Sequence, residues 1–191
     1  MKPHGTTLDG LPTDVASEPI IAWRVWALTG RRDGSDLLLR PVARRARTWQ
    51  PRQVVEASCR SSRWHEAPEP LCTCGLHGTH GIEVLRKTKG PAVLGRVALW
   101  GRVIEHQHGF RAQFAYPQRL RLICQFCFWT TGARREAPRH VGWFPRGEMM
   151  PICDEHLAVA RRHDVFPRSL VTADEVAQRL RDIYAVDALA I

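Results

Sequence analysis

A chain of 191 residues with 44% hydrophobic composition can bury one core of moderate size or two small ones. No apolar run approaches the roughly 18 residues of a membrane span and no secretory signal pattern is present, so we expect a cytoplasmic protein whose cysteines are not disulfide-bonded. The formal net charge of +9 and the pI near 10.0 favour an anionic partner such as nucleic acid, although 25 Arg against three Lys and no Asn also indicate the codon bias of a GC-rich genome.

The first part of the chain predicts a tail and a hairpin. Residues 1–18 contain turn residues without hydrophobic periodicity, which indicates a flexible tail. Residues 20–28 are rich in aliphatic and Trp side chains and predict a strand, which a polar turn connects to a second short strand, LLLR. The arginine run after Pro41 is either a solvated connector or a segment that contacts phosphates.

A first concentration of possible metal ligands lies in residues 56–80. Cys72, Cys74 and His77 fall within six positions around Gly75, whose conformational freedom permits a tight bend. Cys59 can supply the fourth ligand of a zinc site, while His65 and His80 compete with His77. The alternative is a cysteine-containing loop whose histidines lie on the surface.

The next region predicts β-structure. From Val93 to Tyr116 apolar residues alternate, Gly95 and Gly101 allow curvature, and the HQHG segment can turn the chain back. We expect a curved antiparallel sheet or a small barrel, followed by a strand that ends at Cys124.

The strongest metal-binding pattern follows this strand. Cys124 and Cys127 form a C-x2-C pair, and Cys153 and His156 form a C-x2-H pair after a spacer of 25 residues. Three thiolates and one imidazole complete a closed tetrahedron around zinc. With the first pair placed in a hairpin turn and the second at a helix start, these roughly 40 residues resemble a treble-clef zinc finger, which implies a fold element and no particular activity. The alternative is a pair of buried thiols with an unrelated helix-cap histidine.

The C-terminal part is predicted to be helical. One helix runs from Asp154 to about His163, and a second begins after Thr172, which forms a T-x-x-E capping box with Glu175. In the second helix an apolar stripe at helical spacing is expected to face the core. It consists of Val176, Leu180 and Ile183.

These elements predict an α+β fold: a curved antiparallel sheet or small barrel with a zinc-stapled loop, then a treble-clef-like zinc element and two C-terminal helices. The domain boundaries that follow are a tail at 1–18, a β-rich domain with the first zinc site at 19–120, and the zinc element with the helices at 121–191; the last two can pack as one unit. The whole chain also resembles uncharacterised small zinc-site proteins of actinobacteria and their phages. That resemblance rests on residues 65–68, 72–77 and 95–117 and implies no known activity.

Two closed zinc sites and no recognised catalytic motif predict a non-enzymatic binding module with two zinc ions and no small-molecule cofactor. Nucleic acid is the expected partner, through the arginines and one tryptophan of two basic stretches: Arg44, Arg45, Arg47, Arg134, Arg135, Arg139 and Trp143. The first alternative is a zinc-stabilised adaptor that binds another protein through strand edges or its last helix. The second is an unrecognised hydrolase or nuclease that uses Glu105, His106 and His108.

Overall fold

The computed structural model describes residues 18–31, 36–43, 47–131, 137–144, 149–163, 165 and 167–190. Within them the chain forms ten strands, three α-helices and one 3₁₀ helix, Glu83–Lys87. The strands are β1 (Ile20–Thr29), β2 (Leu38–Pro41), β3 (Val55–Glu56), β4 (Leu76–Thr79), β5 (Val93–His106), β6 (Gly109–Leu122), β7 (His140–Trp143), β8 (Met149–Ile152), β9 (Ser169–Thr172) and β10 (Asp187–Ala188). The helices are α1 (Gln125–Thr131), α2 (Asp154–Arg162) and α3 (Ala173–Tyr184). The tail predicted for residues 1–18 falls almost wholly outside the described residues.

The long hairpin of β5 and β6 is the central element of the fold. Its two strands pair antiparallel over 14 residues each, with irregular register at Arg96/Val97 and between Trp100 and Val103. Gly101 has φ +77° within the second irregularity, a conformation that L-residues with a Cβ rarely adopt. The predicted curved antiparallel region is therefore present, and its second strand runs on to Leu122.

Four strands close into a ring, because β1 pairs with β5, β5 with β6, β6 with β4, and β4 with β1. The ring closes where Gly78 of β4 passes Ala22 and Leu99. A Cβ on Gly78 would lie 2.6 Å from the Ala22 Cβ and 2.9 Å from a Leu99 methyl carbon, so this position requires glycine.

The remaining strands extend the same sheet on both sides of the ring. β2 pairs with β1, β3 with β6, and β10 lies parallel to β6, while β8 joins β1 at the pair Leu28 and Met149. β7 then connects β8 to β9. The described residues of 121–191 thus contribute four strands, β7 to β10, to the sheet that begins with β1.

The main core lies between the inner face of the ring and α3. The predicted stripe of α3 is confirmed, since Val176 and Leu180 are buried and Ile183 packs against the same cluster. Tyr184 is also fully buried, and its hydroxyl accepts a hydrogen bond from the Leu39 N–H at 2.9 Å and donates one to the Trp49 carbonyl. These two bonds tie the end of α3 to the β2 region.

The capping box predicted for α3 does not form. Thr172 occupies the N-cap position with an extended backbone, as expected, but its side chain makes no capping hydrogen bond. In the described part of the chain, no helix is both long and apolar enough to cross a membrane.

Candidate metal centres

The second metal centre consists of the four residues that its two sequence doublets predict: Cys124, Cys127, Cys153 and His156. Their ligand atoms all lie within 4.8 Å of one another. The His156 Nδ1 atom is 3.1 Å from Cys153 Sγ and 3.5 Å from Cys127 Sγ. It is 3.8 Å from Cys124 Sγ, and the Cys127 and Cys153 sulfurs are 3.6 Å apart. The four atoms can therefore surround one metal ion.

Two strand-to-helix junctions position these ligands. β6 delivers Cys124 to the start of α1, where its carbonyl accepts the hydrogen bond of the Phe128 N–H at 2.9 Å. β8 delivers Cys153 to the N-cap of α2, and His156 lies in the first turn. The hairpin turn expected for the first doublet is wrong, because that doublet opens a helix; the treble-clef assignment stays a prediction.

An apolar cluster encloses this centre. Phe144, Ile152 and Leu157 are buried against the two thiols of the first doublet. The Phe126 ring stacks on the His156 imidazole with centroids 5.1 Å apart and planes inclined by 16°, which fixes the orientation of the ligand.

The first metal centre contains Cys59, Cys72 and Cys74, as predicted, with His65 as the fourth residue. The Cys59 and Cys72 sulfurs are 3.7 Å apart, and the Cys74 sulfur is 3.5 Å from the His65 Nε2 atom. Cys59 follows β3 and Cys74 nearly adjoins β4, so the centre joins both ends of a long loop to the ring.

His77, which the sequence analysis placed in this shell, takes another position. Its Nε2 atom lies 3.1 Å from the Thr73 carbonyl oxygen, and its own carbonyl accepts a hydrogen bond from Arg24. Burial is the main cause that lowers the pKa of His77, and the positive charge of Arg24 is the second. The third candidate, His80, lies 3.4 Å from a Glu105 carboxylate oxygen. The ligand set is therefore corrected to include His65 in place of His77.

Arg111 of β6 organises the first centre, although no sequence pattern marks it. Its Nη1 atom donates to the carbonyls of Glu69 and Cys74 at 3.2 Å and to that of Cys72. Gly75 adopts φ +124°, and a Cβ there would lie 3.0 Å from the Arg111 Cβ. Hydrogen bonding from the Cys74 backbone lowers the pKa of the Cys72 thiol, which favours the thiolate that a metal binds.

The acidic and imidazole groups of the alternative enzyme hypothesis lie at the tip of the β5–β6 hairpin. Glu105, His106 and His108 are exposed there, and the His108 N–H lies 3.4 Å from the His106 Nδ1 atom. Partial loss of hydration is the main cause that lowers the pKa of His106, and the positive charge of Arg111 is the second. Among the described residues, these side chains do not belong to either metal-binding group.

The residues predicted to contact nucleic acid are only partly described. Arg44, Arg45, Arg134 and Arg135 lie outside the described residues. Arg47 is exposed, and Arg139 is exposed with its guanidinium 3.4 Å from an Asp154 carboxylate oxygen. Trp143 is half-buried and packs against the main core, which reduces the ring surface open to a base.

Comparison of the chain with known proteins gives no family assignment. No family model, no curated protein and no solved structure matches it. The two metal centres and the surfaces around them are therefore the features that bear on function.

Proposed function

We propose that the protein is a non-enzymatic binding module in which two zinc ions have structural roles. Bond lengths of about 2.3 Å to sulfur and about 2.0–2.1 Å to nitrogen place the ligands of tetrahedral zinc about 3.8 Å apart for two sulfurs and about 3.6 Å for sulfur and nitrogen. The sulfur pairs of the two centres lie at 3.6 and 3.7 Å, and sulfur–nitrogen distances range from 3.1 to 3.8 Å. A donor set of three thiolates and one imidazole also suits zinc better than calcium, magnesium or manganese, which prefer oxygen ligands.

The structural assignment rests on each centre bringing together four side chains that can ligate one metal ion. A tetrahedral zinc ion with four protein ligands has no open position for water or substrate, whereas a catalytic zinc site keeps one. Each centre also joins segments far apart in the chain: the first closes the loop between β3 and β4, and the second brackets residues 124–156. A metal ion in such a position would hold distant segments of the chain together, which is a structural role.

The positive net charge of the chain favours nucleic acid as the partner. The formal net charge is +9, and arginine supplies nearly all of the positive charge. Arginine forms bidentate hydrogen bonds with phosphate and stacks on bases, so an arginine-rich surface suits an anionic, base-containing ligand.

A protein-binding adaptor is the second candidate, favoured by the surface of the first metal loop. Trp64 is 96% exposed and Leu71 is 99% exposed. Each precedes a ligand of the first centre, His65 or Cys72, so the metal would hold two apolar side chains out in solvent. Tryptophan in such a position is typical of an interface that another protein buries.

A titration separates these candidates. Fluorescence anisotropy of labelled DNA and RNA oligonucleotides with the metal-loaded protein, at two salt concentrations, should give binding whose logarithmic affinity falls linearly with the logarithm of salt concentration. Absence of binding to every oligonucleotide at low salt would contradict nucleic-acid recognition. The protein-binding adaptor would then be the remaining candidate function.

A further inference from the structure

The outer face of the β1–β5–β6 ladder concentrates aromatic and arginine side chains. Strand alternation turns them away from the main core, and the register places Trp23 opposite Arg96, Arg96 opposite Arg119, and Trp100 opposite Phe114. Arg119 is exposed and the other four are half-buried. We call these five residues the aromatic–arginine face. Helix α3 packs against the other, inner face of the ladder.

The electrostatics of this face favour an anion. The Arg96 guanidinium carbon lies 3.8 Å from the centroid of the Trp23 ring, so stacking fixes its position. Arg119 lies directly across the ladder, and two like charges at opposed positions repel each other. Burial and then the charge of Arg119 lower the pKa of Arg96.

No described carboxylate neutralises this pair. Among the described residues, neither Arg96 nor Arg119 has an acidic side chain within ion-pair distance. Asp187 of β10 is the register neighbour of Arg119 but forms no ion pair with it. A phosphate bound between the two guanidinium groups would relieve their repulsion and accept hydrogen bonds from donors that have no acidic partner among the described residues.

The aromatic part of the face is suited to bases. Trp100 and Phe114 are register partners, so strand alternation places both rings on the same side of the ladder. Their centroids are 6.1 Å apart and their planes are inclined by 30°. Trp100 lies four residues beyond Arg96 on β5, about 13 Å away at the usual rise of a strand. Such rings can stack only on bases whose faces are free, which duplex DNA does not offer.

We infer that the aromatic–arginine face binds single-stranded nucleic acid, with phosphates at Arg96 and Arg119 and bases on Trp100 and Phe114. This inference rests on the proposed function and adds to it the site and the strandedness of the ligand. Glu56 of β3 is the register partner of Phe114 and places a negative charge at the edge of the face.

The test is a set of anisotropy titrations with a labelled oligothymidylate and with a duplex of the same length. The wild type should bind the single strand at least about ten-fold more tightly. R96Q/R119Q should weaken single-strand binding at least about ten-fold and reduce the salt slope by about 1.4, the value for two lost phosphate contacts on a single strand. Trp100→Ala should weaken it at least about five-fold, the lower range for one stacked base.

A matched control keeps the change in net charge constant. R161Q/R179Q removes two exposed arginines from α2 and α3 and should bind within about two-fold of the wild type. Thermal unfolding and metal content establish that each variant is folded. Three results would overturn this site while leaving nucleic-acid binding intact. They are an equal loss of single-strand affinity in R161Q/R179Q, an unchanged single-strand affinity in R96Q/R119Q, and tighter binding of the duplex than of the single strand by the wild type. If the wild type binds neither probe, nucleic-acid recognition itself fails, and the protein-binding adaptor becomes the remaining candidate.

Discussion

If the second centre holds a structural zinc ion as we propose, replacing Cys153 by Ser should remove that ion and unfold the segment around it. α1 and α2 account for 16 of the 28 described α-helical residues, and both begin at ligands of this centre. Three buried apolar side chains, Phe144, Ile152 and Leu157, contribute about 1.5–3 kcal/mol each. Fixing the backbone of these 16 residues costs about 16–32 kcal/mol at about 1–2 kcal/mol each. The three side chains offset only part of this cost, so we expect the helices to depend on a structural zinc ion, which contributes about 10–16 kcal/mol.

Circular dichroism at 222 nm together with metal analysis measures this effect. We expect Cys153→Ser to lose one metal ion per chain and about half of its helical ellipticity, while α3 and the β5–β6 hairpin persist. Cys59→Ser is the matched control, because it removes a ligand of the first centre, whose loop contains no described helix. It should lose one metal ion and keep its ellipticity. Full ellipticity in metal-depleted Cys153→Ser would refute a structural role for the second ion.

Three further predictions concern the first centre and the core. His65→Ala should lower the metal content from two ions to one, whereas His77→Ala should leave it at two; elemental analysis of both variants decides which histidine is the ligand. Arg111→Met should weaken the first site about 10–100-fold in chelator competition, since it removes three hydrogen bonds that orient the loop, and an unchanged affinity would contradict that role. Burial raises the pKa of Tyr184 to about 12, so the fold should lose stability between about pH 10 and pH 12. Tyr184→Phe, which leaves two backbone groups without partners, should be less stable by about 1–3 kcal/mol at neutral pH and should lack this alkaline loss; urea unfolding across the pH range measures both.

The second centre could be predicted in full because its signal is local. Each doublet holds two ligands within four residues, so the spacing itself constrains the geometry. The hairpin turn expected for Cys124 and Cys127 was wrong because the short segment QFCFWTT contains weak helix formers. Packing of Phe128 and the metal-binding thiols override that weak propensity in α1.

The first centre could be predicted only in part. Three cysteines were identified from their positions, but the choice among nearby histidines depends on how a long loop folds over the ring. His65 reaches Cys74 while His77 lies on β4 with its side chain near the Thr73 carbonyl. Arg111 was missed because it binds backbone carbonyls, which leave no pattern in a sequence.

The curved β-structure was predictable from the alternation of β5 and β6, but the closure of the ring was not. β4 has only four residues and contains Gly78, so it carries little strand signal of its own. Its pairing with β1 and β6 depends on the close approach of Gly78 to Ala22 and Leu99, a contact between segments far apart in sequence.

Both Cys3His groups should hold zinc in the folded protein if the proposal is correct. Native mass spectrometry of the freshly purified chain, with elemental analysis of the same sample, tests it most directly. We expect a mass of one chain plus two zinc ions, with all six cysteines reduced. A folded chain that carries no zinc, or whose cysteines are joined in disulfides, would contradict it.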